Sequence, residues 1–144
     1  MVERATLATG DYSLKGFDHI IAAERKELND LIGCLMGTNR DRFERELARG
    51  AAMPNFICTI EASMEDVAKH RYLSHMAPHA VFSSLLAFTL RWRTNFMFCG
   101  SRAGAEYVTF NWLRLFLRQI ESSYLSATKA GHNLKTPPKR KDAS

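Results

Sequence analysis

The chain has 144 residues, 46% hydrophobic and 24% charged, a length that suits one compact domain and excludes a large multidomain enzyme. It holds no run of about 18 apolar residues, and Met1 to Asp11 lacks a basic segment followed by an apolar one, so neither a membrane span nor a signal peptide is read, and a soluble, cytoplasmic protein is expected. The net charge of +5 does not identify a partner, because from Lys129 onward five basic residues face Asp142 alone, leaving fifteen basic against fourteen acidic over the other 128 residues.

In chain order, the pattern from Thr6 to Lys26 is short and β-like. It divides into Thr6 to Tyr12, a turn over Lys15 to Asp18 with Gly16, and His19 to Lys26. The second of these strands carries Ile20, Ile21, Ala22 and Ala23, apolar on both faces as a central strand would be. Helical spacing follows, with Leu28, Leu31, Ile32 and Leu35 at i, i+3, i+4 and i+7, interrupted by Gly37, Thr38 and Asn39. A second helix from about Arg40 to Arg49 buries Phe43 and Leu47 and stops at Gly50. Phe56 to Glu61 reads as a strand, and Ser63 to Asp66 as a helix N-cap with an acidic third residue.

Pro78 starts a helix from His79 to Trp92 whose expected buried stripe is Phe82, Leu85, Leu86 and Thr89. Phe96 to Cys99 is another short strand, and after Ser101 a long aromatic-rich helix runs to about Leu125. The ordered domain is expected over residues 1–127 and a basic, disordered tail over 128–144, where Gly131, Pro137 and Pro138 stand. Cys34, Cys58 and Cys99 are widely spaced in apolar segments and read as reduced, buried core residues. Strands alternating with helices imply an α/β layer structure, a sheet covered by helices.

The segment richest in chemistry is Glu24-Arg25-Lys26 at the end of the doubly apolar strand, with Asp11 on the strand before it. Alternation puts Glu24 and Lys26 on one face and Arg25 on the other. A hairpin centred near Phe17 and Asp18 brings Asp11 opposite the region of Glu24, so two carboxylates and an ammonium converge at one sheet edge. Mg²⁺ or Mn²⁺ prefers oxygen ligands and keeps several waters, which suits such a set. The lysine would orient a water and offset developing negative charge. On spacing alone, a solvated helix start with i, i+4 charge pairing is the more common meaning of Glu24 to Asp30.

Thr9-Gly10-Asp11-Tyr12-Ser13, the E-R-K-x-x-x-D segment from Glu24 to Asp30, and Arg40-Asp41-Arg42-Phe43-Glu44 to Arg49 resemble the nuclease domain of the XPF family of structure-specific endonucleases. The resemblance continues through Phe56 to Ser63 and Ser84-Leu85-Leu86-Ala87-Phe88, covering residues 5 to 118. It implies a restriction-endonuclease-like PD-(D/E)XK core, a central mixed sheet flanked by helices, and Mg²⁺- or Mn²⁺-dependent cleavage of branched or flap-like DNA in repair, recombination or phage DNA processing. By the same resemblance Asp11 and Glu24 match metal-binding carboxylates, Lys26 the catalytic lysine and Asp30 the acidic residue closing the motif. Arg25 matches an invariant position, its side chain structural or near the DNA backbone and its carbonyl a further metal ligand.

Two departures stand out. The family's earlier strand with its D-x-R-E segment, and the helix after it, are missing ahead of the G-D-Y run, which implies an N-terminally incomplete domain with a sheet edge left open or filled by another chain. No helix-hairpin-helix tandem follows. The remaining features are weaker. Arg42, Arg45 and Arg49 share a helix face after Arg40; with the resemblance, Arg40 and Arg42 are expected near DNA. His70, His75 and His79 read as loop residues rather than zinc ligands. Trp112, Leu113, Leu115, Phe116 and Leu117 cover more than one helix face, implying burial on two sides, either as a plain core helix or with one side against a homodimer or heterologous partner. The rival reading is a non-catalytic DNA-binding or scaffold subunit of a nuclease complex.

Overall fold

A computed structural model describes residues 2–4 and 10–133. The chain divides into two units, Met1–Leu113 and Arg114–Ser144. The first contains a five-stranded mixed sheet in sequence order, β1 (Val2–Arg4), β2 (Tyr12–Leu14), β3 (Ile21–Lys26), β4 (Asn55–Ile60) and β5 (Asn95–Phe98). β1, β2 and β3 pair antiparallel, whereas β3, β4 and β5 pair parallel. Parallel neighbours need a crossover. Helices α1 (Leu28–Gly33) and α2 (Gly37–Ala51) link β3 to β4, and α3 (Met64–Ala68) and α4 (Pro78–Trp92) link β4 to β5. Helix α5 (Arg102–Asn133) begins in the first unit, and the second consists of its residues from Arg114 and the chain beyond. No helix among the described residues is long and apolar enough to cross a membrane.

The hairpin expected around Phe17 is present. Phe17 N–H donates to the Leu14 carbonyl (2.9 Å) and Ile21 N–H to that of Phe17 (3.0 Å), closing the chain back into β3. β3 lies between two strands and is buried on both faces from Ile21 to Glu24, as its unbroken apolar run required. The expected start of the preceding strand at Thr6 falls outside the described residues; the strand seen begins at Tyr12. The edge beside it, expected to be open or filled by another chain, is occupied by β1, with Val2 paired to Leu14 and Arg4 to Tyr12.

One face of the sheet, through Cys58 and Ile60, packs on Leu31 and Ile32 of α1, Phe43 and Leu47 of α2, and Val81, Leu85 and Phe88 of α4. Phe43 and Phe88 meet edge to face with ring centroids 5.9 Å apart, a favoured aromatic geometry. On the other face the Thr59 hydroxyl meets that of Thr109 in α5 at 2.9 Å, and Ala105 and Leu113 of the same helix are buried. The first turn of α5 lies so close to the chain leaving β5 that a side chain at Gly104 would strike the Cys99 carbonyl oxygen. Ser63 caps α3 in a reciprocal capping box with Asp66, as its sequence indicates.

Several expectations are corrected. The buried stripe of α4 is Val81, Ser84, Leu85 and Phe88 rather than Phe82, Leu85, Leu86 and Thr89, and Leu86 is 65% exposed. Both sets have i, i+3, i+4, i+7 spacing and share Leu85, so in a helix apolar nearly all round only the tertiary contacts choose between them. Cys58 is fully buried, but Cys34 and Cys99 are half-exposed; all three are free thiols. In α5, Ala105, Thr109 and Leu113 form a buried face while Tyr107 and Phe110 point outward in the single chain. The helix also continues past Ala127 to Asn133, because Ser126 to Ala130 contains neither glycine nor proline to stop it.

Candidate active site

The C-terminal end of β3 carries the site. Strand alternation sends Glu24 and Lys26 to the α2 side, where Lys26 Nζ lies 3.1 Å from Glu24 Oε1 and 5.6 Å above the Phe43 ring. Glu24 is only 5% exposed. Burial, reinforced by the neighbouring carboxylates of Glu46 and Asp11 and opposed by Lys26, pushes the Glu24 carboxyl up to about 8. Burial works against the charge on Lys26, but Glu24, Cys34 and Glu46 together hold the ammonium above the ordinary lysine range.

Asp11 reaches this end of the sheet through the hairpin. The register pairs Tyr12 with Ala23, which sets Asp11 alongside Glu24. Its amide donates to the Ala23 carbonyl (2.8 Å), and its Oδ2 accepts from the Arg25 amide (3.2 Å). Gly10 makes the approach possible. Its φ is +76°, and a Cβ there would sit 3.0 Å from both Ala22 Cβ and the Ala23 carbonyl oxygen.

Arg25 points to the opposite face. Its Nε lies 3.1 Å from Glu61 at the end of β4 and its Nη1 3.0 Å from Glu106 in α5. The guanidinium also stands 5.5 Å from the Tyr12 ring centroid. The side chain expected to be structural or near DNA is therefore engaged inside the domain, tying β2, β3, β4 and α5 together. Asp30 lies exposed in the first turn of α1, where its amide is capped by Glu27 Oε2 at 3.2 Å. Its side chain joins no ion pair among the described residues and takes no part in the Glu24–Lys26 contact.

The two arginines expected near DNA separate. Arg40 turns inward, donating to the Leu35 carbonyl (3.1 Å) and Ser84 Oγ (2.9 Å) beneath a cation–π contact with Phe88 at 4.6 Å. Its donors are engaged with α4 and with the α1–α2 connection, as a packing contact would be. Arg42 is exposed.

Glu46, Glu61 and Glu106 were not legible as site residues. For Glu46 a signal existed: Phe43, Glu46, Leu47 and Gly50 repeat at i, i+3, i+4, i+7, placing one carboxylate on the inner stripe of α2. Glu61 and Glu106 carried none, because only folding brings them to Arg25.

Among the described residues, no three His, Cys, Asp or Glu side chains are gathered closely enough to hold a metal by protein ligands alone. Mg²⁺ does not demand that, since it commonly takes one or two carboxylates and retains waters. The donor chemistry fits such a hard cation. Glu24 is acted on by the negative charges of Glu46 and Asp11 against the single positive charge of Lys26, leaving an acid excess in a dry setting.

A family model described as the ERCC4 domain matches residues 1–111. Among solved structures, XPF from Aeropyrum pernix is similar with a TM-score of 0.61 and 21% identity, covering 83% of this chain and 55% of that one. XPF from Aeropyrum pernix in complex with DNA is similar with a TM-score of 0.60 and 21% identity, over 80% and 52% of the two chains. The present chain spans about half the length of these XPF chains. No curated protein matches it.

Proposed function

Since the chain belongs to the ERCC4 domain family and has the restriction-endonuclease-like α/β fold of XPF, we propose that it is a metal-dependent DNA endonuclease that hydrolyses phosphodiester bonds at branched or flap-like DNA. The observation that carries this reading is the buried Glu24–Lys26 pair at the end of β3, with Asp11 held beside it by the Arg25 amide.

Asp11 and Glu24, with the Arg25 carbonyl, would hold Mg²⁺ or Mn²⁺, which when bound would polarise the scissile phosphate and acidify a water. The chain's own residues do the rest. Lys26, fixed by Phe43 and its acidic neighbours, keeps a full positive charge where negative charge develops during attack on phosphorus. The hairpin delivers Asp11 and the central strand delivers Glu24, so both carboxylates sit on rigid sheet backbone rather than on a loop. Burial of Glu24 excludes water that would otherwise screen the site. Asp30, on the exposed side of α1, acts as an outer support. DNA approaches along the exposed side of α2 that carries Arg42.

A second chain, identical or different, is part of this proposal, supported by the outward Tyr107 and Phe110 of α5. The alternative is a non-catalytic scaffold subunit, favoured by the direct ion pair that occupies both Glu24 and Lys26. The two readings part on one experiment: labelled duplex, flap, fork and single-stranded DNA incubated with Mg²⁺, Mn²⁺ or EDTA, alongside Glu24→Gln and Lys26→Ala. The nuclease reading expects cation-dependent cutting that both variants lose while still binding DNA. Cutting that survives in both variants rules the site out, and a folded chain that binds without cutting is the scaffold.

A further inference from the structure

Resting on the reading of Glu24 as a cation ligand, we propose that Glu46 is a positioning residue that takes over the Lys26 ammonium when Glu24 turns to the divalent cation. In the structure Lys26 Nζ is paired to Glu24 at 3.1 Å. One carboxylate oxygen is therefore spent on the lysine that is to act beside the metal. A hard cation binding Glu24 competes directly with that pair, since both seek the same oxygen lone pairs. Lys26, largely buried against Phe43, then needs another acceptor, because an ammonium left unpaired in such a setting is costly.

Glu46 stands where that acceptor is needed. Phe43, whose ring lies under the ammonium, is one turn before Glu46 on the same inner stripe of α2. Glu46 is half-buried and makes no ion pair among the described residues, although Arg42 and Arg49 stand at i−4 and i+3 on its own helix. Its negative charge acts on both Glu24 and Lys26. A half-buried carboxylate with no such ion pair, one turn from the ring that the Lys26 ammonium lies on, is placed to receive that ammonium. With the divalent ion on Glu24 and the ammonium on Glu46, the two positive charges separate the two acids, and Lys26 keeps its orientation through the exchange.

The test follows Lys26 in the absence of DNA. The ¹H–¹⁵N signal of its ammonium, assigned with Lys26→Arg, is recorded while the full chain is titrated with Mg²⁺, and Mg²⁺ affinity is measured by calorimetry. In the native chain the signal is expected to shift and persist at saturation. In Glu46→Gln it is expected in the metal-free protein and to vanish into solvent exchange once Mg²⁺ is added, with Glu46→Asp retaining part of it. With DNA, Glu46→Gln should lose about 10- to 100-fold in kcat, the scale for a supporting residue, at nearly unchanged KM and Mg²⁺ affinity. Persistence of the signal in Glu46→Gln overturns the proposal, as does native kcat in that variant. A loss of Mg²⁺ affinity as large as that of Glu24→Gln would make Glu46 a ligand instead, and also overturns it. If the native Lys26 signal ignores Mg²⁺ that calorimetry shows to be bound, the exchange is refuted while the nuclease reading stands; absence of any Mg²⁺ binding removes both.

Discussion

Lys26 Nζ lies 3.1 Å from Glu24 Oε1, two residues along one strand and on one face of it, with the acid almost wholly buried. Such a pair adds little net stability, because removing two charges from water costs about what their attraction returns. Its presence at the end of a central strand, where the other buried residues are mostly apolar, is what makes it a candidate functional site.

The site should therefore weaken the fold as pH rises. The Glu24 carboxyl is pushed up from 4.5 to about 8 by burial and by Glu46, so between those values the folded chain holds a proton that the unfolded chain has released. This contribution is fully present below the unfolded value and lost as pH rises through the folded one. Thermal melts of metal-free protein should show Tm falling across that window, and Glu24→Gln should flatten the slope. Mg²⁺ should restore Tm most at the alkaline end, where the carboxylate is free to bind it. A native slope unchanged in Glu24→Gln would assign the effect elsewhere.

Arg25 should behave as a brace. Arg25→Ala leaves Glu61 without its partner in a position only 13% exposed, and denaturant unfolding should show a loss of about 2–3 kcal/mol. Glu106→Ala, at the solvent-facing end of the same network, should change stability little. Were Arg25 a phosphate contact instead, its removal would lower the salt dependence of DNA binding by about one charge.

Arg40 and Arg42, near neighbours in sequence, should give opposite phenotypes. Arg40→Ala removes bonds to Leu35 and Ser84 and its contact with Phe88, and should cost about 1.5–3 kcal/mol of stability. The salt slope of DNA binding should stay the same. Arg42→Ala should leave the melt unchanged and reduce that slope by about one.

Gly10→Ala tests how Asp11 is placed. A methyl group there meets Ala22 and the Ala23 carbonyl oxygen at 3.0 Å, in a backbone with φ of +76°. A left-handed residue bearing Cβ costs about 1–2 kcal/mol before any contact is counted. Tm should fall, and cleavage should fall further than stability does, since the shift displaces Asp11 from the Arg25 amide. Equal cleavage by a destabilised variant would show that Asp11 needs no such precision.

Local features were legible in the chain because they depend on near neighbours. The doubly apolar run from Ile20 to Ala23 announced a central strand, the Ser63–Asp66 pair a capped helix, and alternation the opposite facing of Arg25 from Glu24 and Lys26. The G-D-Y and E-R-K segments pointed to the chemistry and the family through their resemblance, since the spacing of two carboxylates and a lysine alone also suits a solvated helix start. Features that depend on distant partners were not legible. Two equivalent stripes on α4 differ only in which of them meets Phe43. Arg40 and Arg42 look alike until Ser84, forty-four residues after Arg40, claims the first.

By itself, then, the sequence determined the hairpin, the central strand and the presence of Asp11, Glu24 and Lys26 at its end, because strand period and turn chemistry act over a few residues. Only the tertiary structure decided that Arg25 is consumed by Glu61 and Glu106, that Arg40 serves the core, and that Glu46 faces the site from α2. Those outcomes rest on long-range packing and on charges meeting in a desolvated interior, where contact across the fold rather than separation along the chain sets the energy.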